Sequence, residues 1–131
     1  MTYADDYDLA MDLAALLFLG GDRSTFPDHD GILDRALQDC IGHLSEELNS
    51  ALTFSQTNIG LRCNQLPQIL HSAVEIGLID WSGFSMNNFT LKLNRESARL
   101  NAVRANSSTA EFESRGKRLV ALIEAEEASK A

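Results

Sequence analysis

Three side chains in the first half of this 131-residue chain have the spacing of a metal site. Asp39, His43 and Glu47 recur at i, i+4 and i+8, which on one helix would line a single face and offer zinc three ligands. Cys40 stands beside them, but it falls between Leu37 and Ile41 in an apolar register. No C-x-x-C or H-x-x-x-H pair supports the set, so no metal site and no cofactor is expected. Catalytic chemistry has as little to work with. His29, His43 and His71 are dispersed, and there is no glycine-rich phosphate loop, no nucleophile elbow and no carboxylate pair beside a base. An enzyme is not expected.

Composition narrows the remaining classes. Apolar residues make up 44% of the chain and charged residues 23%, the balance of a globular domain and not of a disordered, collagen-like or disulfide-built chain. The formal charge of −8 argues against a protein that coats nucleic acid through a uniformly basic surface. The charge is unevenly spread. Residues 1–61 carry net −9, residues 62–118 net +3 and residues 119–131 net −2. Residues 1–8 hold three Asp and no Lys or Arg, unlike a signal peptide. The longest apolar run, residues 13–19, is too short to cross a bilayer. The expectation is a cytoplasmic protein with no membrane partner and with Cys40 and Cys63 reduced.

The elements follow from apolar spacing. Leu9, Leu13, Leu16 and Leu17 make one stripe of a first helix, ended by Gly20-Gly21. A loop over residues 22–27 leads to a second helix, with Asp28 or Asp30 as N-cap. Its apolar positions run from Ile32 through Leu37, Cys40 and Leu44 to Leu48, with a break near Ser45 or Asn49, and a further helical turn or two reaching residue 58. Leu66, Ile69, Leu70, Ala73 and Val74 define a third helix, with Pro67 in its first turn and Gly77 at its end. Leu78-Ile79-Asp80-Trp81 reads as a strand, residues 85–88 as a turn, and Phe89, Leu91 and Leu93 as the buried face of a returning strand. Residues 94–106 are a short polar helix or a linker. A last helix begins at Ser108 or Thr109, where Ser108 and Glu111 have the form of a capping box, and buries Phe112, Leu119, Val120 and Ile123.

Helix, glycine turn, helix, Gly77-Leu78-Ile79 and then a hairpin is an order that resembles the winged helix-turn-helix module of MarR-like and ArsR-like regulators, over residues 59–94. Ile59-Gly60-Leu61 is similar to the family's turn, Gln65-Leu66 to the opening of its recognition helix, and the strand at Phe89 to the one returning from its wing. Phe54-Ser55-Gln56 departs from the family's support-helix pattern. The resemblance implies one mainly α domain with a small β-hairpin, a winged helix-turn-helix flanked by N- and C-terminal helices. A helical N-terminal part (residues 1–58) precedes the recognition helix and wing (59–94), and a connector with the last helix (95–131) follows.

It also implies a transcriptional regulator binding double-stranded DNA, as a homodimer through the N- and C-terminal helices. On the recognition helix, Asn64, Gln65, Gln68 and His71 lie off the apolar stripe and have the chemistry to contact base edges, the amides pairing with adenine. Arg62, Lys92, Arg95 and Arg99 are the phosphate candidates, with Asn87 and Asn88 in the wing. The same module serves elsewhere to bind protein. The −9 segment supports the alternative of an acidic adaptor or inhibitor that docks on another protein without touching DNA.

Overall fold

The computed structural model describes residues 5–82 and 88–130. The chain is mainly α, with six helices and two small antiparallel sheets among the described residues. Helix α1 (Asp6–Leu19) is its axis. Asp5 caps it by accepting the Asp8 amide at 2.8 Å, and Asp6 and Asp8 sit where the helix dipole favours negative charge. The expected leucine stripe is buried, and so are Ala10, Ala14, Ala15 and Leu19, because three later helices pack around α1 on most sides. A hydrophobic stripe sufficed to find this helix but not to show that it is central.

Strand β1 (Thr25–Pro27) lies in the segment expected as a loop; three residues ending in proline show no alternation. Helix α2 (Ile32–Cys40) starts at Gly31, and neither Asp28 nor Asp30 caps it with a side chain. It stops at Cys40, short of the expected break. Ser45 instead caps a separate helix α3 (Glu46–Ala51), accepting the Leu48 amide at 3.2 Å. The Asn49 side chain fills the gap between them, accepting from the Gly42 and Leu44 amides and donating to the Leu44 carbonyl.

The helical turn expected toward residue 58 is instead a hairpin of β2 (Phe54–Thr57) and β3 (Gly60–Cys63), paired from Phe54↔Cys63 to Thr57↔Gly60. Ile59-Gly60 is the tip of that hairpin and does not lead directly into the next helix.

Helix α4 (Leu66–Glu75) follows the sequence closely. Leu66, Ile69, Leu70 and Ala73 are buried, and Pro67 sits in the first turn, where its missing N–H costs no internal bond. Gly77 closes it at φ +77°, and the Leu78 amide donates back to the Ala73 carbonyl at 2.9 Å. The chain runs at once into β4 (Ile79–Ser82), and β5 (Asn88–Leu91) returns beside it. Strand β1 pairs with the far side of β5, giving the order β1-β5-β4, with Phe26↔Phe89 and Trp81↔Phe89 in register. The Phe26 and Phe89 rings stack at 5.9 Å and Trp81 meets Phe89 edge-on at 6.3 Å, so the sheet's inner face is aromatic.

Asn94 caps α5 (Arg95–Arg104), which makes the ambiguous connector a helix. Helix α6 (Thr109–Lys130) buries Phe112, Leu119, Val120 and Ile123 against α1 and α2. Ser108 accepts the Glu111 amide as expected, while the Glu111 carboxylate takes the Ser107 hydroxyl. Gly20 and Gly116 let α1 and α6 touch backbone to backbone, since a Cβ on Gly20 would stand 2.5 Å from the Gly116 carbonyl oxygen. The apolar stripes of α1 and α6, expected to face a second copy, therefore face each other inside this chain. Arg23 with Glu127 (2.5 and 2.6 Å) and Arg35 with Glu126 (2.8 Å) fasten the end of α6. No described helix is long and apolar enough to cross a membrane.

Candidate nucleic-acid interface

The outward face of α4 is open. Pro67, Gln68, His71 and Glu75 are exposed along it, set by the same period that buries Leu66, Ile69, Leu70 and Ala73. Gln68 makes one long contact, 3.4 Å to the Ser72 hydroxyl. His71 Nε2 lies 2.8 Å from Glu75 Oε1, and the Tyr7 hydroxyl donates to the other Glu75 oxygen at 2.9 Å. The bond to Glu75, and then its charge, raise the Tyr7 phenol above its ordinary pKa. Gln68 and His71 thus share one solvent-facing patch, while Glu75 brings a carboxylate to its C-terminal end.

Asn64 and Gln65, the other two base-contact candidates, are engaged elsewhere. Gln65 Oε1 accepts the Thr53 amide at 2.7 Å and its Nε2 donates to Thr53 Oγ1 at 2.8 Å. Asn64 adds its own amide to the Thr53 carbonyl and its Nδ2 to Thr53 Oγ1, both at 2.9 Å. These bonds close the neck of the β2–β3 hairpin. Sequence spacing could place the two residues off the apolar stripe, but not identify a partner eleven or twelve positions away.

The phosphate candidates divide between two ends of the three-stranded sheet. Arg62 sits half-buried in β3. Burial, and then Asp34, raise the Asp28 carboxyl above its ordinary pKa, and the charge of Arg62 acts against them. Asp28 directly follows Pro27, the register partner of Asn88. Asn88 therefore stands at the end of the sheet where Pro27 and Ser82 pair with it, and Arg62, on the neighbouring hairpin, is close enough to Asp28 for their charges to interact; Asn87 falls outside the described residues. Lys92 and Arg95 belong to the opposite end, where the Leu91 amide donates to the Ser24 carbonyl and the Lys92 amide to that of Leu78. Four residues of strand separate the two ends by roughly 13 Å. Arg99 is paired on α5 with Glu96 at 2.6 Å, which holds that carboxyl below its usual range.

Neutralisation goes further than the segment charge suggests. Of the eight cations between Arg62 and Arg118, Arg99, Arg104, Arg115 and Lys117 are ion-paired. Arg62, Lys92, Arg95 and Arg118 have no carboxylate within salt-bridge distance among the described residues. The acidic half is also less exposed than its count implies. Asp34 is buried and accepts the Cys63 amide at 2.8 Å. Asp12 is fully buried in α1 and accepts from Ser45 (2.6 Å), Asn101 (2.9 Å) and Arg104 (2.8 Å). Arg104 continues to Glu47 at 2.8 Å. This network ties α1, α3 and α5 together. One signal for it was available, since Asp12 stands beside Leu13 and three residues after Leu9, on the inner face of an apolar helix.

The Asp39, His43 and Glu47 spacing does not fall on one helix, because α2 ends at Cys40 and Glu47 is bound to Arg104. The described residues contain no group of three or more His, Cys, Asp or Glu placed to hold a metal ion. Cys40 and Cys63 are free, buried thiols whose pKa values burial raises. The chain matches no protein-family model, no curated protein and no solved structure.

Proposed function

We propose that the chain is a small DNA-binding regulator built on a winged helix-turn-helix, with α3 as the supporting helix, α4 as the recognition helix and β4–β5 as the wing. The observation that carries this reading is the run of α4 into β4–β5, with β1 completing the sheet, while the outer face of α4 stays open. Gln68 and His71 would read base edges in the major groove, an amide pairing with adenine and an imidazole reaching guanine. Arg62 and the wing would fix the register on phosphate. Asn64 and Gln65 would serve as the frame that presents α4.

With few free cations near α4, the electrostatic share of binding would be small. Titration of a labelled mixed-sequence duplex at low and moderate salt tests this. The expected result is saturable binding whose logarithmic salt slope is no steeper than about −3, with Arg62→Ala lowering the slope by about 1. No binding at low salt would sink the reading.

A second reading, the acidic adaptor, is favoured by one observation. Glu75 lies on the open face of α4, bound by Tyr7, which stands between Asp6 and Asp8 in the first turn of α1. A basic protein surface would meet that face without the repulsion that phosphate meets. Loss of a protein partner on Glu75→Gln, with no duplex binding at any salt, would select it.

A further inference from the structure

From the open edge of the β2–β3 hairpin we infer that the chain self-associates through β2, two copies pairing their β2 strands antiparallel about a two-fold axis. An unpaired strand edge is a template for another strand, and folded proteins guard such edges by keeping the strand very short or with charge, proline or a covering element. The other outer edges among the described residues are guarded. Strand β1 ends in Pro27 and is followed by Asp28; β4 carries the exposed Asp80; β3 lies against α2, and its Cys63 amide is taken by Asp34. Strand β2 is short, four residues, but among the described residues it has no charge, proline or covering element on its open edge. Ser55, Gln56 and Thr57 are exposed, and no charged residue or proline occurs from Leu52 to Leu61. Ile59 at the hairpin tip is 78% exposed, more than any other large apolar side chain described.

The hairpin's base is fixed. Asn64 and Gln65 clamp Thr53 through four hydrogen bonds, so the edge is presented in one orientation and little ordering is left for association. Gln65 already occupies Thr53, which leaves Phe54–Thr57 as the length free to pair.

The occupant is a second copy for two reasons. A chain of charge −8 repels its copies over most of its surface, and β2, which carries no charged side chain, lets two meet without like charges directly opposed. Antiparallel self-pairing also uses both open edges at once. The resulting order β3-β2-β2′-β3′ ends on strands that α2 covers, so the assembly closes at two. Four-residue strands bury less than the 1,200 Å² or so of a standard stable interface, so the dimer is weak, with a dissociation constant of roughly 10–100 µM. The inference does not depend on the DNA reading.

Sedimentation of the full chain across about 1 µM to 1 mM, spanning that constant, is the test. A reversible monomer–dimer equilibrium is expected. Gln56→Lys, with an unchanged circular dichroism spectrum, should weaken it at least tenfold, and Leu100→Lys on the exposed face of α5 should leave it unchanged. Amide exchange across Phe54–Thr57 should slow as concentration rises. A monomer throughout, growth beyond a dimer, or a dimer that Gln56→Lys leaves intact would overturn the inference.

Discussion

Gln65 grips Thr53 with both ends of one amide, Oε1 on the backbone N–H at 2.7 Å and Nε2 on the hydroxyl at 2.8 Å. The residue that opens α4 is thereby spent on holding the chain that precedes β2. The hairpin becomes an insertion with a closed neck, and α4 starts from a fixed point. Gln65→Ala should cost about 0.5–1.5 kcal/mol, the net worth of hydrogen bonds to an exposed group that water can replace. Urea denaturation would register that loss as a lower midpoint at unchanged slope. An unchanged midpoint would mean that the neck bonds carry no stability.

Gly116 sets two effects against each other. In an exposed helix interior, Gly→Ala gains about 1 kcal/mol. Here the new Cβ would run into the Leu16 carbonyl oxygen of α1, a backbone atom that cannot swing aside. Forced overpacking of a well-packed contact costs about 1–3 kcal/mol, so the clash outweighs propensity and Gly116→Ala should lower the melting temperature by several degrees. A rise would show that the two helices separate freely.

Asp12 supplies a pH dependence whose sign can be worked out. Burial raises its carboxyl to about 6 from 3.8, even though Ser45 and Asn101, followed by Arg104, act to lower it. A carboxyl with a folded pKa above its unfolded one is better tolerated protonated. Its contribution to stability is therefore present below about pH 4 and lost as pH rises through 6, by up to about 3 kcal/mol. Asp12→Asn should flatten the stability profile between pH 4 and 6 relative to the parent chain, which urea unfolding at several pH values would measure. The opposite partner behaves differently. Arg104→Ala leaves the buried carboxylate with one fewer donor and no cation, and at pH 8 should destabilise by about 3–5 kcal/mol.

The sequence was most legible where local physics decides the outcome. Leu66, Ile69, Leu70, Ala73 and Gly77 define α4 by period and terminator alone, and Phe89 and Leu91 define one face of β5. The β2–β3 hairpin left no such trace, because Ser55, Gln56 and Thr57 face solvent on both sides and no alternation develops. Strand β1 is too short to show any. Within the candidate site, the open positions Gln68 and His71 could be read from the helical period. The engagement of Asn64 and Gln65 depends on Thr53, and that of Asp12 on Asn101 and Arg104 some ninety residues later, contacts that only the fold creates. The segment charge of +3 was misleading for the same reason, since ion pairs consume half of its cations.

The central claim is that α4 offers Gln68 and His71 to the edges of base pairs. Selection of bound duplexes from a random-sequence library at low salt tests it most directly. The account predicts enrichment of a short motif with a conserved adenine or guanine, lost or altered at one position in Gln68→Ala and at a neighbouring one in His71→Ala. Failure to enrich any motif, or a motif that both variants reproduce unchanged, would contradict it.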